Sequence, residues 1–221
     1  MLVRIIPRPP TASNAPAVVR PLTTIAVTSR PLRILDFDIE NRPLSYLGSD
    51  FTTGEVTAIS WAWVDRPNDV TVYLLGETDL PDILKAFCAA YTEADMVTGH
   101  YILGHDLPML NGALMEFQMP ALEAKRVHDT KVHLITRKGI SCSQESLGAM
   151  LRLDQPKVQM NQSKWRAANR LAPEGLAYVR ERVVGDVRQH IAMWRELNAL
   201  GYLRSPTLWR PGTAKVEAYT P

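Results

Sequence analysis

Acidic residues stand at alternate positions of Arg33–Glu40: Asp36, Asp38 and Glu40, with Leu35, Phe37 and Ile39 between them. Successive side chains of an extended strand point to opposite faces, so the acids share one face and the apolar residues the other. Carboxylates crowded on one strand face repel, and a buried one is costly unless it is paired or binds metal. A hard cation such as Mg²⁺ would relieve that repulsion. It takes oxygen from a few carboxylates and leaves its remaining positions to water or substrate phosphate. The competing reading puts Asp38 and Glu40 at the strand's end, meeting solvent or Arg42. Two further segments supply acids. Thr98–Leu110 places Asp106 after a strand and loop, at the start of a helix, and Val183–His190 places Asp186 on the last long helix.

The five histidines, His100, His105, His128, His133 and His190, admit a second chemistry. His128-Asp129 echoes His105-Asp106, and a zinc hydrolase would combine such groups in tetrahedral geometry. That reading leaves Asp38 and Glu40 unexplained. Cys88 and Cys142 are far apart and form no CxxC pair, which argues against a thiolate zinc site and a secreted disulfide framework.

These groups need a scaffold, and the chain is long enough for one. Its 221 residues are 46% apolar and 22% charged, which suits one folded domain and excludes a collagen-like or wholly disordered chain. No apolar run approaches the ~20 residues of a membrane-spanning helix. The net charge of +2 is too small to identify a polyanionic ligand. Strands are expected at Arg33–Glu40, Val56–Val64, Val70–Leu75, Asp95–Gly99 and Arg126–Asp129. Helices are expected at Asp79–Tyr91, Asp106–Phe117, Ser143–Leu153 and Pro173–Leu200. Three strands in succession predict an antiparallel meander, and the later alternation predicts parallel strands. The fold class is α/β, a mixed sheet with helices on both faces.

Residues 1–31 form a separate basic arm, with Arg4, Arg8, Arg20 and Arg30, six prolines and no acidic residue. The prolines forbid one continuous helix; an extended arm with a short edge strand near Val18–Val27 is expected. Such an arm could touch phosphate, dock on a partner, act as an organellar leader, or be a solvated tail. The main domain is expected over 32–203, and 204–221 reads as an irregular tail.

Asp38-Ile-Glu40, then Gly99-His100 with Asp106-Leu-Pro-Met-Leu110, then Asp186-Val187 in a late helix resembles the three motifs of the DEDD (DnaQ-like) superfamily of 3′–5′ exonucleases. Val127–Thr130 and the helix at Ser146-Leu147 resemble the elements that family carries between its second and third motifs. The resemblance spans about residues 32–200 and implies a ribonuclease H-like fold. It implies Asp38, Glu40, Asp106 and Asp186 as ligands of two Mg²⁺ or Mn²⁺ ions, with Asp38 bridging. Two such ions activate a water and take the charge of the leaving 3′ oxygen.

The match breaks at the general base. The family places His five residues before the last Asp, or Tyr four before it; here those positions hold Glu181 and Arg182. Glu181 could orient the water, His190 could assist, or the metal alone could suffice. Tyr178, Arg182, Asp186 and His190 share one i, i+4 stripe, and Arg182 reads as a salt-bridge or phosphate group rather than a base. Ile39, Tyr101, His105 and Arg182 are the candidates for substrate contact. Tyr101 could stack on a base or be a packed loop residue, and His105 could hold a carboxylate or a water.

Lys131, Arg137, Lys138, Lys157, Lys164, Arg166 and Arg170, with Trp165, could guide a strand or simply face solvent. No motif separates DNA from RNA; single-stranded DNA is placed ahead of RNA as the partner. The resemblance suggests proofreading, replication or repair, with a polymerase or other replication protein docking through the arm. It also suggests the cytoplasm of a bacterial or phage-infected cell. The non-enzymatic alternative is a catalytically weak, ribonuclease H-like nucleic-acid-binding module that kept its carboxylates and lost its base.

Overall fold

The acid-bearing strand is β1 (Ile34–Pro43), and it lies inside the sheet rather than at its edge. A computed structural model describes residues 30–44, 51–154 and 158–212, and from Leu32 onward these belong to one compact unit. Residues 1–29 of the expected arm, with its strand at Val18–Val27, and Lys157 lie outside the described residues. Along the chain, β1 is followed by β2 (Gly54–Trp63), β3 (Thr71–Leu74), α1 (Leu80–Glu93), β4 (Met96–Gly99) and α2 (Asp106–Glu116). Then come β5 (Lys125–Asp129), α3 (Thr130–Leu134), α4 (Gln144–Met150), α5 (Gln162–Asn169), α6 (Pro173–Ala199) and β6 (Thr207–Trp209).

The strands form one sheet in the order β3-β2-β1-β4-β5-β6. The meander β1-β2-β3 is antiparallel, and β4 and β5 join β1 in parallel. This is the expected mixed α/β sheet, ribonuclease H-like in its arrangement. Leu35, Phe37 and Ile39 pack with Ile83 and Phe87 of α1 and Leu107 and Leu110 of α2. The opposite face receives α6. There β2 presents Ala58, Ser60 and Ala62 opposite Glu40, Asp38 and Asp36 of β1. These small side chains let α6 approach closely. Ala58 packs with Val179 and Val183, and Ala62 with Val187 and Ile191. Ser60 Oγ donates to the Val183 carbonyl at 3.2 Å.

Three short elements were not expected. The tail holds a strand where none was read: Thr207–Trp209 pairs antiparallel with β5. A strand of three residues between Pro206 and Pro211 is too short to show an alternation. Helix α3 is also too short for a helical stripe, and α5 is mostly polar. Helix α4 begins as expected, with the Ser143 side chain accepting from the Ser146 N–H, but ends at Met150 rather than Leu153.

A histidine pair fixes the C-terminal strand. Trp194 Nε1 donates to His128 Nδ1 at 2.9 Å, His128 Nε2 lies 2.7 Å from the Arg204 carbonyl, and the Arg204 N–H donates to His133 Nδ1 at 3.2 Å. His128 accepts at Nδ1 and donates at Nε2, His133 accepts at Nδ1, and among the described residues neither joins a group that could hold a metal ion. Both free cysteines stand apart from disulfides. Among the described residues no helix is long and apolar enough to cross a membrane.

Burial, with the charges of His128 and Arg204, lowers His133 from 6.5 to about 4. Its unfolded form binds a proton near pH 6.5 and its folded form only near pH 4. The contribution to stability is therefore full above pH 6.5 and declines as the pH falls towards 4. The urea midpoint is expected to be lower at pH 5 than at pH 7, and His133→Gln should shrink that difference; an unchanged difference would show that another group causes it.

Candidate metal centre

Helix α6 crosses the acidic face of β1 in the opposite direction and meets it side chain by side chain. His190 Nδ1 is bonded to Asp36 Oδ2. Arg182 Nε donates to Glu40 Oε1 at 2.6 Å. Between these pairs, carboxylate oxygens of Asp38, Glu40 and Asp186 all lie within 4.8 Å of one another. The match follows from the geometry of the two elements. Four helical residues rise about 6 Å and two strand residues about 6.6 Å, so helix positions 190, 186 and 182 keep step with strand positions 36, 38 and 40.

The outer rungs of this ladder are complementary. Asp36 is fully buried, and burial followed by the charge of Asp106 raises its carboxyl well above the ordinary value. Burial lowers His190 to about 4, against smaller opposing effects of Asp129 and Asp106. Both shifts favour the neutral forms over a fully buried ion pair, which would be costly. His190 Nε2 lies 3.0 Å from Thr130 Oγ1, which also lies 2.9 Å from His100 Nδ1. At the other end Arg182 NH2 also reaches Asp186 Oδ2 at 3.6 Å. Burial pulls Arg182 down, but the charges of Asp186, Glu40 and Asp38 outweigh it and raise the group.

The middle rung sets carboxylate against carboxylate. Asp186 is buried and Asp38 and Glu40 are half-buried, so solvent screens their repulsion poorly. Three convergent carboxylates are a hard oxygen donor set suited to Mg²⁺ or Mn²⁺, and Asp38, Glu40 and Asp186 could hold such an ion.

The other expected site residues fall into distinct places. Asp106 is buried outside this trio; its Oδ1 accepts from the Ile39 N–H at 3.2 Å, between the two acids of β1. His105 Nδ1 lies 3.5 Å from Asp106 Oδ2, and this contact raises the histidine's pKa above its usual value. The Ile39 side chain belongs to the core on the α1–α2 side. His190 is interior, bonded to Asp36, and neither on the surface nor among the trio. Glu181 is exposed and lines a groove with Ala177, Arg180, Val184 and Arg188. At 100° per residue it stands about 140° around α6 from Asp186. Tyr178 is exposed, and the Lys164 ammonium lies 4.5 Å from its ring centroid.

Tyr101 adopts a left-handed backbone with φ 75°, uncommon outside glycine. Its ring rests on Gly104, where a Cβ would come within 2.5 Å, and the Lys131 ammonium lies 4.0 Å from its centroid. One face is thus already covered by a cation, so a stacking base would have to displace Lys131.

Two supporting residues escaped the sequence reading. Gln144 Nε2 donates to the Asp186 carbonyl at 2.9 Å, tying α4 to the helix turn that carries the acid. Asp129, fully buried, accepts from the Tyr101 and Val132 N–H groups through Oδ1, at 3.0 and 3.1 Å. Its Oδ2 accepts from the Leu103 N–H at 2.9 Å. This carboxylate pins the turn that delivers His105 and Asp106. The one sequence signal was the likeness of Val127–Thr130 to a family element. Asp129→Ala should cost about 3 kcal/mol, because three backbone donors lose a charged acceptor. Chemical denaturation of the variant checks this, and a loss within error of zero would remove the pinning role.

No family model matches the chain, and no curated protein is similar to it in sequence. Its fold is similar to that of a family B DNA polymerase from the hyperthermophilic archaeon Pyrobaculum calidifontis, with a TM-score of 0.62 at 15% identity. The match covers 78% of this chain and 25% of the polymerase, so this chain spans about a quarter of that protein's length. At that identity what is shared is the fold.

Proposed function

We propose that the protein is a metal-dependent 3′–5′ exonuclease acting on single-stranded nucleic acid, DNA ahead of RNA. The observation that carries this reading is the middle rung: Asp38 and Asp186 face each other beside Glu40, with their oxygens within 4.8 Å, inside an otherwise complementary ladder. A protein under selection for stability alone has little reason to keep like charges there. The ordered motifs of β1, α2 and α6 support the same reading, and the fold likeness to part of a DNA polymerase is in keeping with a nucleic-acid substrate. A proofreading or repair role, with the basic arm docking on a replication protein, belongs to the same proposal.

Mg²⁺ or Mn²⁺ bound by Asp38, Glu40 and Asp186 would supply an activated water and neutralise charge on the leaving 3′ oxygen. The chain's own residues have separate tasks. Asp106 fixes the β1 backbone at Ile39 and so the spacing of the two β1 acids. Asp129 holds the turn of Tyr101 and His105 at the rim. Lys131, and Lys164 and Arg166 on α5, offer phosphate contacts, which dominate when sequence is not read.

A second reading has one observation in its favour. The base position holds Arg182, and Glu181 turns away from the trio, as a nucleic-acid-binding module that had lost its chemistry would allow. One assay separates the two: 5′-labelled single-stranded DNA and RNA with Mn²⁺, Mg²⁺ or EDTA. Wild type is expected to give a metal-dependent ladder shortened from the 3′ end. Asp186→Ala should lose more than about 100-fold, since even partners behind metal ligands are worth 10–100-fold. Glu181→Ala should turn over like wild type. Binding of both substrates without any ladder would establish the module instead.

A further inference from the structure

Arg182 is held more firmly than a substrate-seeking arginine needs to be. Besides its hydrogen bond to Glu40 and its looser ion pair with Asp186, its NH1 donates to the Val158 carbonyl at 3.0 Å, and its guanidinium carbon lies 5.3 Å from the Trp165 ring centroid. Its side chain is only 16% exposed. Charge-assisted, forked contacts of this kind are short and directional, and a lysine could not reproduce them. Two of these restraints, Val158 and Trp165, lie outside the acidic trio. An ion that shares Glu40 would therefore lie beside a guanidinium held on Oε1 by anchors that the ion does not touch.

The charges point the same way. Asp38, Glu40 and Asp186 bring three negative charges when ionised, and Arg182 returns one positive, which leaves two. One divalent ion balances that remainder. A second ion beside it would place two positive units in excess on a half-buried site, next to a guanidinium it would repel.

We propose that Arg182 is the resident second cation of this site. On this account the protein binds one divalent ion among Asp38, Glu40 and Asp186, and keeps a guanidinium on Glu40 Oε1 in place of a second metal. The proposal rests on the metal-centre reading above and specifies its occupancy. It also accounts for an arginine at a position where a base was expected: the residue neutralises a carboxylate and takes no proton.

Counting bound Mn²⁺ on the full chain tests this, by isothermal titration and by the electron paramagnetic resonance of bound ions, with no activity measured. Wild type should bind one Mn²⁺ per chain with the spectrum of an isolated ion. Arg182→Met should bind two, with the broadened signal of neighbouring spins, and Mn²⁺ should raise its melting temperature more than it raises that of wild type. Should Arg182→Met fail to fold without metal, Arg182→Lys serves. It keeps a charge but loses the fork, and should admit a second ion at least about tenfold more tightly than wild type does, as its cation is held less firmly on Glu40. Two ions bound equally well by wild type and both variants would overturn the proposal while leaving the metal centre intact. No Mn²⁺ bound by wild type at millimolar concentration would overturn the metal centre itself, and the proposal with it.

Discussion

The close approach of α6 to the acidic face of β1 is the constraint from which the rest of the molecule follows. A row of carboxylates inside a sheet must meet matching groups at matching intervals. A helix running the other way supplies them because its i, i+4 rise nearly equals two residues of strand. From Asp36 to Glu40 and from His190 to Arg182 the two elements drift by only about 1 Å. A neutral hydrogen-bonded pair closes one end and an ion pair the other. The middle sets Asp38 of the strand against Asp186 of the helix, beside Glu40.

Much of the surrounding structure serves that approach. Ala58, Ser60 and Ala62 lower the surface of β2 where α6 passes, and Ser60 anchors the helix at Val183. Gly175 lets the start of α6 lie against α5, where a Cβ would come within 2.3 Å of the Ala167 and Ala168 backbone. That contact brings Trp165 beside Arg182. Gln144 holds the turn of Asp186 from the other side. The opposite face of the sheet is an apolar core with Phe37, Phe87 and Leu110. Its burial is the general source of stability, against which a repulsive rung can be kept.

The difference between the ladder's ends is chemically informative. His190 is buried and bonded to Asp36, although the helical stripe made it look available. Arg182 sits nearer solvent and touches two acids of the trio. The same helix face thus runs from a buried neutral contact at one end to the acidic trio at the other.

Alternation in Asp36–Glu40 was enough to predict the strand and its acidic face, and apolar periodicity in Pro173–Leu200 was enough for α6. Both are local, repetitive signals that one element carries by itself. The mixed sheet followed from their order, whereas the joint candidacy of Asp38, Glu40 and Asp186 came from the resemblance to the exonuclease motifs. The tertiary structure decided what no local pattern holds. It placed Asp106 on the Ile39 amide outside the trio, turned Glu181 outward, buried His190 against Asp36 and seated Arg182 on Glu40. It also gave Asp129 three amides to hold, and made a strand of Thr207–Trp209. Each of these depends on which long-range partner lies within about 3 Å, the reach of a hydrogen bond. Sequence spacing sets the direction of a side chain along its own element, whereas the partner it finds is set by how two elements pack.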